Sequence, residues 1–132
     1  MKEKLSSSTM QHTRLEDVLQ DHKLASLGDS YVNFISSLAL SVKRGEAAGT
    51  KVSSRILSQA LKISKLRIFL PKRVDRHTLG DAAEALIVYA WLREAITIEE
   101  SVKTLLSSSD IADAFASLLL LAKERLNLWA EA

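Results

Sequence analysis

Between Ala82 and Leu92 the chain is apolar on every side of a helix, with one charged exception, Glu84. A helix of that kind has no face for water and belongs at the centre of a fold, wrapped by other helices. An ionised carboxylate inside it is costly unless a cation or strong hydrogen bonds compensate. The segment therefore predicts a buried central helix and a compensating partner for Glu84.

The flanking sequence supplies the wrapping helices. Thr13 with Glu16 forms a T-x-x-E capping box, so a helix is predicted to start there and to break near Asp21. From His22 to Val42, residues Leu24, Leu27, Tyr31, Phe34, Ile35 and Leu38 recur at helical spacing as one apolar stripe. The other side carries His22, Ala25, Asp29 and Ser36, whose small side chains predict open space beside Asp29. Gly45 to Gly49 supplies the stop. Another helix is predicted over Thr50 to Leu66, ended by the only proline, Pro71, and the central one runs from Asp75 or Thr78 to Ala95. Thr97 with Glu100 gives a second capping box. A last helix over Asp110 to Trp129 presents Ile111, Phe115, Leu118, Leu119, Ala122, Leu126 and Trp129 on one face. No strand signal competes, so the expectation is an all-α, single-domain bundle over residues 13–132, preceded by a polar, serine-rich mobile tail over 1–12.

Several classes of function are excluded by what the sequence lacks. There is no cysteine, so disulfides, thiolate metal sites and a cysteine nucleophile are ruled out. No Gly-rich phosphate loop and no Ser, His and Asp spacing of a nucleophilic triad occurs. The aliphatic run Leu118 to Ala122 is far too short to cross a bilayer, and Met1 to Met10 has no apolar signal core, which predicts a soluble, cytoplasmic protein with no membrane partner.

Charge is unevenly spread. The net charge is only +2, yet residues 43–76 hold ten basic and two acidic side chains. Such a segment is a candidate surface for a polyanion, and Arg55, Lys72, Arg73 and Arg76 are its candidate phosphate contacts. Lys43, Lys62 and Lys65 suit plain solubilising charge.

Three acids are the candidates for chemistry. Asp81 lies one turn before Glu84, so both carboxylates share a helix face and can converge on a hard cation, Mg²⁺ or Mn²⁺. The bland alternative pairs Glu84 with an arginine of the basic segment and leaves Asp81 to cap its helix. Asp29, just after Gly28 on another core helix, adds a third acid and shifts the balance toward a shared site.

Two ordered blocks resemble the ribonuclease III family. Leu24-Ala-Ser-Leu-Gly-Asp29-Ser-Tyr-Val-Asn-Phe34 is similar to its signature, L-E-F-L-G-D followed by apolar residues. Leu79-Gly-Asp-Ala-Ala-Glu84-Ala-Leu-Ile-Val-Tyr-Ala-Trp-Leu92 resembles its later motif, D-x-x-E-A-L-I with an aromatic and aliphatic tail. The resemblance implies the family's helical endonuclease domain and a metal site of Asp29, Asp81 and Glu84, with Asp29 and Glu84 as catalytic residues. It also implies Mg²⁺ or Mn²⁺ as cofactor, structured or double-stranded RNA as substrate, and a homodimer. Ala25 stands where the full-length ribonucleases place another metal-site glutamate. In this respect, and in the expected absence of a separate RNA-binding domain, the chain resembles the compact mini ribonuclease III group more closely in layout. Asp21 and His22, one turn earlier, are the candidates for a replacement ligand.

The expected function is thus metal-dependent hydrolysis of RNA phosphodiester bonds. A second expectation is an inactive relative that binds RNA in processing or ribosome assembly. A third is a helix-turn-helix DNA-binding protein built on Val52 to Arg67, which leaves Glu84 without a purpose.

Overall fold

The structure, a computed structural model, describes residues 1–6 and 11–130. Among them are seven α-helices and no strand: α1 (Lys2–Ser6), α2 (Leu15–Leu19), α3 (His22–Arg44), α4 (Ser54–Ile63), α5 (Arg76–Leu92), α6 (Ile98–Leu105) and α7 (Ile111–Leu126), with a 3₁₀ turn at Leu66–Phe69 after α4. The fold is the expected all-α bundle. Of the tail anticipated over 1–12, residues 7–10 lie outside the described residues. Within it Lys2–Ser6 forms α1, and the His12 N–H donates to Tyr89 Oη at 2.9 Å.

Helix α5 is the centre. Twelve of its seventeen residues are buried, and α2, α3, α4 and α7 all pack against it. It begins where Asp75 accepts the Thr78 N–H at 2.8 Å, and it ends two residues before Glu94, which sits in the left-handed region. An apolar segment without a polar side is thus buried all round, as the pattern demands.

Helix α3 starts where one Asp21 oxygen accepts the N–H groups of Lys23 and Leu24, each at 3.0 Å, and stops at Gly45, whose φ of +72° a side chain would strain. Its orientation bears out the sequence expectation at Leu24, Tyr31 and Ile35 and corrects it elsewhere. The buried residues are Leu24, Ala25, Gly28, Tyr31, Val32, Ile35, Ser36 and Ala39, whereas Leu27 and Phe34 of the apolar stripe are 38% and 53% exposed. The small residues provide a close crossing with α5 instead of open space. A Cβ on Gly28 would lie 2.6 Å from the carbonyl carbon of Glu84, so only glycine lets the two backbones meet there.

Other boundaries shift for local reasons. Residues 50–53 stay outside α4 because α3 holds them: Ser37 Oγ accepts the Thr50 N–H at 3.0 Å, and Asn33 Oδ1 accepts the Val52 N–H at 2.8 Å. The Thr13 box does not form. Arg14 occupies the cap position and its guanidinium pairs with Glu16, while residues 13–15 bond instead to the backbone of Trp129. The Thr97 box forms in full, with Glu100 as its partner. Helix α7 ends at Asn127, so Trp129 leaves the predicted apolar face and is 64% exposed. No helix among the described residues is long and apolar enough to cross a membrane.

The candidate acidic site and its basic flank

The crossing of α3 and α5 at Gly28 sets the site. Because the backbones touch there, Asp29, the next residue, reaches Glu84, and the two carboxyl groups are in hydrogen-bonding contact. Glu84 is only 7% exposed, Asp81 is half-buried and Asp29 is exposed, so the site opens outward from the core and is not enclosed in the interior. Burial first, then the hydrogen bond with Asp29, then the charges of Asp29 and Asp81, push the Glu84 carboxyl up to about 8. Glu84 therefore keeps its proton to a higher pH than an ordinary glutamate does.

Of the three expected acids, the structure brings Asp29 and Glu84 into contact, while Asp81 acts on Glu84 by charge alone. Among the described residues no group of three or more His, Asp or Glu side chains is gathered closely enough, as it stands, to hold a metal ion. The alternative of a Glu84–arginine pair is not what forms, and Asp75, not Asp81, caps the helix. Carboxylate oxygens alone, on Asp29, Glu84 and, one turn along, Asp81, are the donor type a hard divalent cation prefers.

The suggested replacement ligands are otherwise arranged. Asp21 caps α3 and its second oxygen lies 2.8 Å from His12 Nε2. Burial alone would raise this carboxyl, but His12 and the backbone N–H groups of Leu24 and Lys23 outweigh it and hold it below the usual carboxylate range. His22 is exposed at the first position of α3. A cavity of about 120 Å³ lies beside Ala25, between the start of α3 and the loop around Leu70 to Val74, with Asp81 at one end.

Arg55 on α4, Lys72 and Arg73 in the loop before α5, and Arg76 at its first position are all exposed. None is in an ion pair among the described residues, so their charge is available to solvent. Two further residues that shape this region carry little or no signature in the sequence. Arg67 braces the basic loop, donating from Nη1 to the Leu70 carbonyl at 3.3 Å and from Nη2 to that of Lys72 at 2.6 Å. His12 joins the start of α3 to Tyr89 of α5. Arg67 left a faint signal as a charge inside the apolar run Leu66 to Leu70; His12, in the presumed tail, left none. The helix-turn-helix expectation finds no footing, since α4 is followed by a 3₁₀ turn and then by the buried helix α5.

A family model described as Ribonuclease III matches residues 22–128, from the first residue of α3 to just beyond α7. No curated protein matches the chain.

Proposed function

Because the chain belongs to the ribonuclease III family, we propose that it is a metal-dependent endoribonuclease, hydrolysing phosphodiester bonds in structured or double-stranded RNA. The observation that supports this best is the approach of Asp29 to Glu84, an acid buried on the central helix whose carboxyl burial and its acidic neighbours push upward. Asp29, Asp81 and Glu84 would hold Mg²⁺ or Mn²⁺. Such an ion, when bound, supplies an activated water and neutralises charge growing on the phosphate. Glu84 holds or releases a proton near neutral pH, and Asp29 accepts its hydrogen bond while facing solvent; these two are the catalytic residues of the proposal. Arg55, Lys72, Arg73 and Arg76 grip phosphates of the duplex, whose A-form shape exposes backbone and 2′-hydroxyls more than base edges.

The same proposal includes a homodimer. Phe34 and Val42 of α3 are 53% and 62% exposed, and a groove of about 550 Å³ between α3 and α6 is lined by Leu38, Val42, Ile98, Val102 and Leu106. Contiguous apolar surface of this kind marks an association site. The setting that goes with an RNA substrate is cytoplasmic, and the layout fits the compact mini ribonuclease III group.

A second reading, an RNA-binding module in RNA processing or ribosome assembly that does not cleave, is favoured by Ala25, which offers no donor where the cavity opens beside Asp81. Incubating an end-labelled RNA duplex with protein and Mn²⁺ or Mg²⁺, against a chelator control, separates the two. Internal cleavage that needs metal and disappears in Glu84→Gln and Asp29→Asn is the expected result. Duplex binding without cleavage at any metal concentration would assign the module.

A further inference from the structure

We propose that a second pocket, separate from the acid pair, binds a small amphiphilic anion, an alkyl chain ending in a carboxylate. The pocket has a volume of about 240 Å³ and lies between the C-terminal half of α3, residues 50–52, α4 and the junction of α6 with α7. Its lining on α3 runs from Ser36 to Lys43. That is about two to four helical turns beyond Asp29, or ~10–20 Å along the axis.

The lining has two chemistries. Ala39 and Leu105 are buried in it, Leu40, Val52 and Ile56 are half-buried, and Ile111 is 37% exposed. Against these aliphatic side chains stand Lys43, from the last turn of α3, and Lys51, from the segment before α4. Both lysines are exposed, and neither is in an ion pair among the described residues. Among the described residues no acid lines the pocket. Asp110, next to Ile111, is committed to the cap of α7, where it accepts the Asp113 N–H at 3.0 Å.

This combination selects the class of ligand. Hydrocarbon that enters leaves water for an aliphatic wall, which is favourable in proportion to the area covered. A carboxylate head then meets two cations that have no other partner. A nucleic-acid phosphate would answer the lysines and leave the aliphatic wall wet, whereas an alkylammonium would answer the wall and be repelled by the lysines. Only a ligand with an apolar body and an anionic head answers both.

The site is also held in shape before anything binds. Side chains of α3 pin the neighbouring segment: Ser41 Oγ accepts the Ala48 N–H at 2.9 Å, Ser37 Oγ that of Thr50 at 3.0 Å, and Asn33 Oδ1 that of Val52 at 2.8 Å. Lys51 therefore sits between two fixed amides, and little backbone has to be ordered by a ligand.

Titrating the ¹⁵N-labelled protein with octanoate, octylammonium or acetate, and following its amide resonances, tests this. Octanoate should shift the amides of Leu40, Val52, Leu105 and Ile111 saturably, with a dissociation constant of about 1 mM, and the other two should bind at least tenfold more weakly. Lys43→Gln with Lys51→Gln should weaken octanoate about tenfold, the upper range for two partly exposed ion pairs. Ile111→Glu should abolish its binding, and it keeps the fold because an acid suits the first position of a helix. Equal binding of octanoate and octylammonium overturns the inference, since the lysines then select nothing. Shifts confined to Leu38, Val42 and Val102 overturn it as well, by placing the ligand in the groove between α3 and α6. Octanoate that binds no better than acetate leaves Lys43 and Lys51 as surface charge and ends the proposal.

Discussion

At Glu84 two requirements oppose one another: burial in α5 favours a neutral acid, and a cation site needs a charged one. The folded carboxyl titrates at about 8 against an ordinary 4.5, so the stability its proton contributes is fully present below about 4.5 and is lost as pH rises through about 8. Because a tenfold change in a proton equilibrium is worth about 1.4 kcal/mol, Glu84→Gln should be the more stable protein at pH 8.5 without metal, by ~2–5 kcal/mol, and near parity at pH 4.5. Thermal melts across that range measure the gap. Adding Mn²⁺ at pH 8.5 should raise the wild-type Tm and leave the variant unchanged, because only a ligand that prefers the native state stabilises it. If the two proteins melt alike at every pH, Glu84 does not hold a proton against the pull of solvent. The sequence was informative at this residue because a lone charge in an apolar helix has few explanations. It was uninformative about Asp81, whose spacing shows a shared helix face without showing how far a side chain reaches.

Helix α3 depends on Gly28. Gly28→Ala places a methyl group against the Glu84 backbone, so the helices must part, at a cost of ~1–3 kcal/mol in the manner of other overpacked cores. The parting should also separate Asp29 from Glu84, so the pH dependence of stability should shrink in the same variant. A variant with unaltered melting and an unaltered pH profile would contradict the crossing. The basic loop and the start of α5 make a second element-level case. Charge reversal at Arg73 and Arg76 should weaken duplex binding and reduce the salt slope by roughly 0.7–0.9 per lost phosphate contact, as read from titrations at several salt concentrations. Identical slopes would make these two arginines ordinary surface charge. Most helices were legible in advance, since caps such as Asp75 and the Thr97–Glu100 box are local chemistry. The inward side of α3 was legible only in part, at Leu24, Tyr31 and Ile35. Hydrophobicity pointed to Leu27 and Phe34, whereas the packing partner, an equally apolar helix, demanded the small residues Ala25, Gly28 and Ala39, and that choice is made by three-dimensional fit.

At the scale of the molecule, the outward side of α3 and its groove with α6 predict association. Light scattering after size exclusion should give a dimer for the wild type and a monomer for Phe34→Asp, with monomer stability changed by no more than about 0.5 kcal/mol, as for other exposed substitutions. A monomeric wild type at micromolar concentration would remove the homodimer from the proposal. The backbone pairing of residues 13–15 with Trp129 bears on how the chain comes together. Two hydrogen bonds, Leu15 N–H to the Trp129 carbonyl at 2.8 Å and Trp129 N–H to the Thr13 carbonyl at 3.0 Å, close a loop spanning almost the entire chain. Closing so long a loop costs ~4 kcal/mol in chain entropy, more than two such bonds return at a net ~1 kcal/mol apiece. The clasp is therefore expected to close late in folding and to open ahead of the central helix. Its two amides should exchange with deuterated solvent through local opening, orders of magnitude sooner than those of Ala85 and Leu86, which wait for the whole molecule to unfold.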